Sequence, residues 1–155
     1  MLEIAAATFP DDSVEVIEIW REFISNSSVN LGYQQKRLDI SNLPGEYAPP
    51  AGCILLARES DSVVGCIAMR RVDSAICEMK RLYVRPVARA TGIGRALSLH
   101  LIEAARNAGY REIRLDVHGE FIQARQLYAD LGFTDAEPVS YNPVPGAKFL
   151  GLLLT

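Results

Sequence analysis

Six consecutive residues, Arg89-Ala90-Thr91-Gly92-Ile93-Gly94, combine what an anion needs from a protein. Glycines let a backbone turn its N–H groups inward with no Cβ in the way. A helix that starts there leaves its first N–H groups without intrahelical partners and carries partial positive charge. Arg89 and Arg95 add formal charge. The segment therefore reads as a loop able to hold a phosphate, and the plain alternative is a tight strand-to-helix turn. It does not match the GxxxxGK[ST] pattern, and as a GxGxxG fingerprint it has Leu97 where the third glycine belongs. Asp116 stands where a ribose-binding acid would, but Rossmann glycines follow their strand almost at once, whereas Arg85 to Thr91 intervenes here.

Other reactive side chains are fewer. Glu78 interrupts a mostly apolar strand, where a carboxylate is costly unless it faces a cleft or a partner such as Lys80 or Arg81. Asp116, His118 and either Ser98 or Ser140 suggest a hydrolytic triad, but no GxSxG elbow accompanies them. His118 is expected at a strand end near a ligand, and His100 on an exposed helix face. Cys53, Cys66 and Cys77 are an odd count with no CxxC pair, so buried thiols are expected, with neither disulfide nor zinc. Cys77 should point away from Glu78 across a regular strand.

The elements that must position these groups follow from periodicity. Leu2 to Thr8 reads as a first strand. Asp12 with Glu15 makes a capping-box pattern before Val16, Trp20, Phe23 and Ile24 at helical spacing. Tyr33 to Leu43 reads as a second short helix, ended by the proline-rich run to Gly52. Cys53 to Arg58 and Val63 to Arg70 form a hairpin across Glu59-Ser60-Asp61-Ser62, and Cys77 to Val84 extends the meander. A helix opens near Gly92, with Leu97, Leu101, Ala104 and Ala108 in line, and closes at Gly109. Ile113, Leu115 and Val117 alternate as a strand, Phe121 to Leu131 is a helix closed by Gly132, and Phe149 to Leu154 is a last strand. The fold class is mixed α/β, a mostly antiparallel central sheet with helices on both faces.

At 155 residues the chain is expected to be one domain, residues 1–155. A net charge of −3 gives no general attraction to nucleic acid or to an anionic membrane, so an anionic ligand needs a local site. No apolar run is as long as a membrane span and the start lacks a secretion-signal pattern, so the cytoplasm is the expected compartment.

Three segments together resemble the GCN5-related N-acetyltransferase (GNAT) family. They are Glu78-Met79-Lys80-Arg81-Leu82-Tyr83-Val84, then Arg89-x-x-Gly92-x-Gly94, then Ala124-x-x-x-Tyr128-x-x-x-Gly132-Phe133. The resemblance implies acetyl-CoA as cosubstrate. Backbone groups of Leu82 and Val84, on a splayed strand with Tyr83 between them, would meet the pantetheine arm. The amides of Ala90, Thr91, Gly92, Ile93, Gly94, Arg95 and Ala96 would surround the pyrophosphate beside Arg89. The amide near Val84 would polarise the thioester carbonyl. Glu78 corresponds to a catalytic glutamate of some members, making it the candidate base, with water as an intermediary where contact is indirect. Tyr128 would be the acid that protonates the departing thiolate. Two departures stand out: alanine at Ala90, where many members have glycine, and Phe121, where many have asparagine.

The implied reaction is acetyl transfer to a primary amine of a small molecule or peptide, directly within a ternary complex. Such an amine has a pKa near ~10 and must lose a proton before it attacks. Acceptor choice would lie with the first two helices, Leu43 to Pro50, and Val139 to Ala147, with Tyr33, Tyr47 and Tyr141 as candidate walls. Many relatives pair, so a homodimer is an expected form. Two rivals remain open: a non-catalytic acyl-CoA-binding domain of the same fold, and a dinucleotide-dependent oxidoreductase.

Overall fold

A computed structural model describes residues 1–26, 42–118 and 121–154. The elements are β1 (Leu2–Ala6), α1 (Ser13–Ser25), β2 (Cys53–Glu59), β3 (Ser62–Arg71), β4 (Ile76–Val84), α2 (Ile93–Asn107), β5 (Glu112–His118), α3 (Ile122–Asp130), β6 (Thr134–Asp135) and β7 (Ala147–Leu153). One seven-stranded sheet runs β1-β2-β3-β4-β5-β7-β6. Every neighbouring pair is antiparallel except β4 and β5, which are parallel and joined through α2.

The meander forms where turn chemistry and apolar runs agree. Ser60 and Asp61, both at positive φ, make the two-residue connection whose twist suits a hairpin. Asp73 turns the chain into β4 by accepting the amides of Ala75 and Ile76, each at 2.8 Å. Strand β2 is apolar from Cys53 to Ala57 because both faces are covered there. Ile54 and Leu56 pack with Val16, Ile19 and Trp20 of α1, while Leu55 and Ala57 join Leu97, Leu101, Ile102 and Ala105 of α2. Each such side chain fully withdrawn from water contributes about 1.5–3 kcal/mol, so these two layers dominate the stability.

The feature that creates a site is in β4. Lys80 pairs with Ala68 and Tyr83 with Cys66, so Arg81 and Leu82 together face the single residue Ile67. Arg81 takes φ of 60° at this bulge. A bulge bends its strand and increases its twist. Accordingly β4 and β5 are paired only from Ile76–Glu78 to Glu112–Arg114, and beyond that point they diverge.

Several expectations are corrected. Asp12 precedes α1 but makes no capping bond. Its carboxylate instead accepts the Thr8 amide at 2.8 Å and Arg58 at 3.1 Å, and Glu15 takes the same guanidinium at 2.8 Å. A cation 43 residues away outcompetes the local cap for Glu15. The buried line of α2 turns to Ile102 and Ala105, leaving Ala108 exposed. The short strand β6 was not anticipated, since two residues carry no periodicity. The expected helix over Tyr33 to Leu43 falls mostly on residues 33–41, outside the described ones. Tyr47 is buried against Trp20, ring centroids 5.4 Å apart, and lines a pocket with Asn42, Leu43 and Glu46 that does not include Tyr141.

Candidate active site

A groove of about 520 Å³ runs along the face of the sheet that carries α2 and α3. Leu82, Tyr83 and Val84 form its floor, and Ala88, Arg89, Ala90, Gly92, Ile93 and Gly94 one wall. Phe121, Ala124 and Leu127 close it from α3, and Phe23 and Asn26 come from the end of α1. Eight of the eleven residues expected to bind the cofactor are thus gathered in one groove. Thr91, Arg95 and Ala96 are not in its lining; Thr91 donates its hydroxyl to the Ala88 carbonyl at 2.5 Å, and Arg95 is exposed on α2.

The loop's geometry suits an anion. Arg89 Nε donates to the Val84 carbonyl at 2.9 Å, tying the loop to the strand end, and its guanidinium lies 5.6 Å from the Tyr83 ring centroid. Ala90 and Gly92 both have positive φ, 63° and 84°. Left-handed residues within a turn aim successive N–H groups at one point, forming an anion-binding nest. The first bond of α2 runs from the Ala96 amide to the Gly92 carbonyl, so the amides of Ile93, Gly94 and Arg95 precede the intrahelical ladder. A Cβ on Gly94 would meet no atom nearer than 3.8 Å, so protein packing does not demand glycine there; the open space belongs to the groove. Alanine at position 90 matters more than its sequence suggests: holding a Cβ at that φ costs about 1–2 kcal/mol.

Between the diverging ends of β4 and β5 lies a second, smaller cleft of about 80 Å³. It shares Phe23, Leu82, Phe121 and Ala124 with the groove, so the two spaces adjoin. Its polar residues are Lys80, Arg81, Asp116, His118, Tyr128 and Asn142. Tyr128, buried against Phe133, has its phenol pKa pushed above the ordinary value, first by burial and then by the charge of Asp116. Its hydroxyl is therefore an O–H donor throughout the neutral range. Phe121 gives this junction an aromatic wall in place of an amide side chain, and stands edge-on to His118 with ring centroids 6.4 Å apart.

Charged groups collect on the opposite face of the sheet. Glu78 is fully buried, with Arg70 Nη2 2.6 Å from Oε1 and the Ser140 hydroxyl donating to Oε2 at 2.7 Å. Lys80 Nζ lies 3.9 Å from both Glu78 and Asp116. Asn142 donates to Asp116 Oδ2 at 2.7 Å, and the His118 ring Nε2 meets the Pro145 carbonyl at 2.5 Å. The segment between β6 and β7 is thus tied to both diverging strands. Glu78 has found a partner, but it is Arg70 of β3 rather than Arg81, whose guanidinium lies over Trp20 at 4.6 Å.

The hydrolytic triad does not assemble: Ser140 serves Glu78, and buried Ser98 donates to the Gly94 carbonyl at 2.8 Å. Cys77 lies in the core under α2, away from Glu78. Among the described residues no group of His, Cys, Asp or Glu is placed to hold a metal ion, and no helix is long and apolar enough to cross a membrane. Tyr141 is exposed, and Tyr33 is outside the described residues.

Sequence reasoning missed Phe23, Asn26, Arg70 and Asn142 as site residues, and it named Lys80 only as a partner for Glu78, from which it lies 3.9 Å. For Lys80 a signal existed, since Glu78 and Lys80, like Arg114 and Asp116, recur at period two on one face of otherwise apolar strands. Asn142 and Ser140 are loop residues and carry no such signal.

A splayed parallel pair, a nest at a helix start and an adjoining cleft define an acyltransferase that uses acetyl-CoA. Residues 14–133 match the Acetyltransferase (GNAT) family, and the chain belongs to that family. It is 31% identical over 153 residues to an uncharacterized N-acetyltransferase of Schizosaccharomyces pombe, covering 97% of this chain and 94% of that one. Its fold matches a GNAT-family acetyltransferase from Staphylococcus aureus with a TM-score of 0.84 at 22% identity over the whole of both chains. It also matches yncA from Salmonella typhimurium, a structure that holds its cofactor acetyl-CoA, with a TM-score of 0.77 at 19% identity, covering 100% of this chain and 95% of that one.

Proposed function

We propose that this chain, acting as a single domain, transfers an acetyl group from acetyl-CoA to a primary amine of a small molecule or peptide, directly and with both reactants bound. One observation carries this reading: the groove on one face of the sheet and the charged groups on the other meet at the gap between β4 and β5. A thioester approaching along the groove and an amine approaching from the charged face would come into line there, which converts a bimolecular encounter into a positioned one.

The residues divide the work by position. Amides of the Ala90–Arg95 nest, with Arg89, hold the pyrophosphate. Leu82 and Val84, on the strand edge that β5 leaves, present backbone groups to the pantetheine arm and the thioester carbonyl. Tyr128 donates a hydrogen bond to the sulfur as negative charge develops. Burial, and then the charge of Asp116, raises its phenol pKa and keeps the hydroxyl protonated as it makes that bond. On the charged face, Glu78 and Asp116 flank Lys80, and of the two carboxylates Asp116 lines the cleft that the amine would enter.

Thermal unfolding with and without ligands tests the cofactor half. Acetyl-CoA at about a hundred times its dissociation constant should add roughly 2.7 kcal/mol to stability. For a chain of this size that raises the midpoint by roughly 5–11 °C. NAD(P)H should leave it unmoved. Thiol release is then followed with propylamine, glycinamide, spermidine and a peptide N-terminus. A shift with acetyl-CoA but transfer to none of them would favour the binding-module rival, and a shift with NAD(P)H alone would favour the oxidoreductase.

A further inference from the structure

A fully buried carboxylate, Glu78, and a partly buried one, Asp116, flank Lys80, and their surroundings differ. Glu78 has both oxygens engaged, Oε1 by Arg70 and Oε2 by Ser140, and it stands outside the lining of the cleft. Asp116 lines the cleft. Its Oδ2 is oriented by Asn142 at 2.7 Å, while Oδ1 lies 3.9 Å from Lys80 Nζ, an ion-pair separation longer than a hydrogen bond. Other charged or titratable groups around it are Tyr128 from α3, Arg81 of β4 in the same cleft lining with its guanidinium over Trp20, Glu78 beyond Lys80 on β4, and His118 and Arg114 along its own strand. Arg114 is drawn away by Glu112 and the Glu137 carbonyl. Asp116 is therefore the carboxylate that borders the space where the two reactants meet, held in a fixed orientation with one oxygen facing a cation across a gap.

We propose that Asp116 is the catalytic carboxylate that meets the acceptor amine and takes its proton, while Glu78 holds Arg70, Lys80 and Ser140 in place around it. This rests on the acetyltransferase reading above and names the group at which its first proton moves. An ammonium brought to Asp116 gives one N–H proton to Oδ1. The freed nitrogen lone pair forms the C–N bond to the acetyl carbon as the C–S bond breaks, and that electron pair stays on sulfur. The second proton lost by nitrogen goes to the sulfur, and the proton on Asp116 leaves to solvent. The products are the amide, the free thiol and one proton.

The test compares Asp116→Asn with Glu78→Gln on propylamine, glycinamide and spermidine, and on hydroxylamine, which is largely unprotonated at neutral pH and needs no base before it attacks. Asparagine preserves the size of Asp116 and an oxygen for Asn142. At pH 7, Asp116→Asn should lower kcat/KM for the three protonated amines by about 100-fold, while hydroxylamine transfer stays within about threefold of wild type. The deficit should shrink as pH approaches each amine's own pKa, with the acetyl-CoA melting shift retained. Glu78→Gln should slow all four acceptors alike. Equal loss with hydroxylamine for Asp116→Asn, or the selective, pH-dependent loss appearing in Glu78→Gln instead, overturns the assignment while leaving the acetyltransferase reading intact. Wild-type transfer to none of the four overturns both, and the acetyl-CoA shift then separates a binding module from a failed cofactor site.

Discussion

Glu78→Gln is expected to cost about 3 kcal/mol of folding stability and to lower the melting temperature by roughly 6–12 °C. The carboxylate is fully buried and Arg70, whose side chain is 15% exposed, holds Oε1 through both Nε and Nη2. Removing one member of a buried pair leaves the other charged without a full counter-charge, and that residual charge is the main cost. Glu46, at 4.0 Å from Arg70 but half exposed, offers only partial compensation. The glutamine can still accept the Ser140 hydroxyl, which limits the loss to the ionic part. Replacing both partners with methionine removes the uncompensated charge and should recover most of the lost stability. Melting curves of Glu78→Met, Arg70→Met and the double variant form the cycle, with Glu78→Gln beside them. A Glu78→Gln protein that melts with the wild type would show that the pair is not held as described.

Alkaline pH should destabilise the chain well before its backbone is attacked. Burial pushes the Cys66 and Cys77 thiols up to about 12, from an ordinary value of 9.0, and Cys53 up to about 11. A thiol that ionises readily when unfolded but not when folded favours the folded state below the unfolded pKa. That contribution is lost as pH rises from 9 toward the folded value. Each such group removes about 1.4 kcal/mol per pH unit across that window. At pH 10.5 Cys66 and Cys77 together should subtract about 4 kcal/mol, lowering the midpoint by roughly 8–16 °C. Tyr83, Tyr110 and Tyr128, all raised chiefly by burial, join above their ordinary value of 10. Urea midpoints at pH 8, 9.5 and 10.5 measure the slope, and Cys66→Ala should flatten it whatever its effect at pH 8. An unchanged midpoint across that range would contradict the burial of the thiols.

Much of the fold was legible because local and global preferences agree. The hairpin at Ser60-Asp61, the third meander strand, the helix opening at Gly92 and the stops at Gly109 and Gly132 all fall where turn residues and apolar period place them. The capping box failed because its two carboxylates had a stronger partner in Arg58, which sequence separation hides. The site was legible in halves. The loop proposed to hold the pyrophosphate is contiguous, so a motif reports it; the charged groups proposed to face the acceptor come from β3, β4, β5 and the β6–β7 segment, and no window contains them.

By itself, then, the sequence determined the strand and helix periods, the anion-binding loop, the inert thiols and the family. Those depend on residues within one turn or one strand of each other. Only the tertiary structure decided that Arg70 would neutralise Glu78, that Asp116 would border the cleft, and that Phe23 would reach both spaces. The bulge at Arg81 opens the gap between β4 and β5, and burial there is tolerated because Glu78 meets Arg70 from the next strand and Lys80 lies between Glu78 and Asp116.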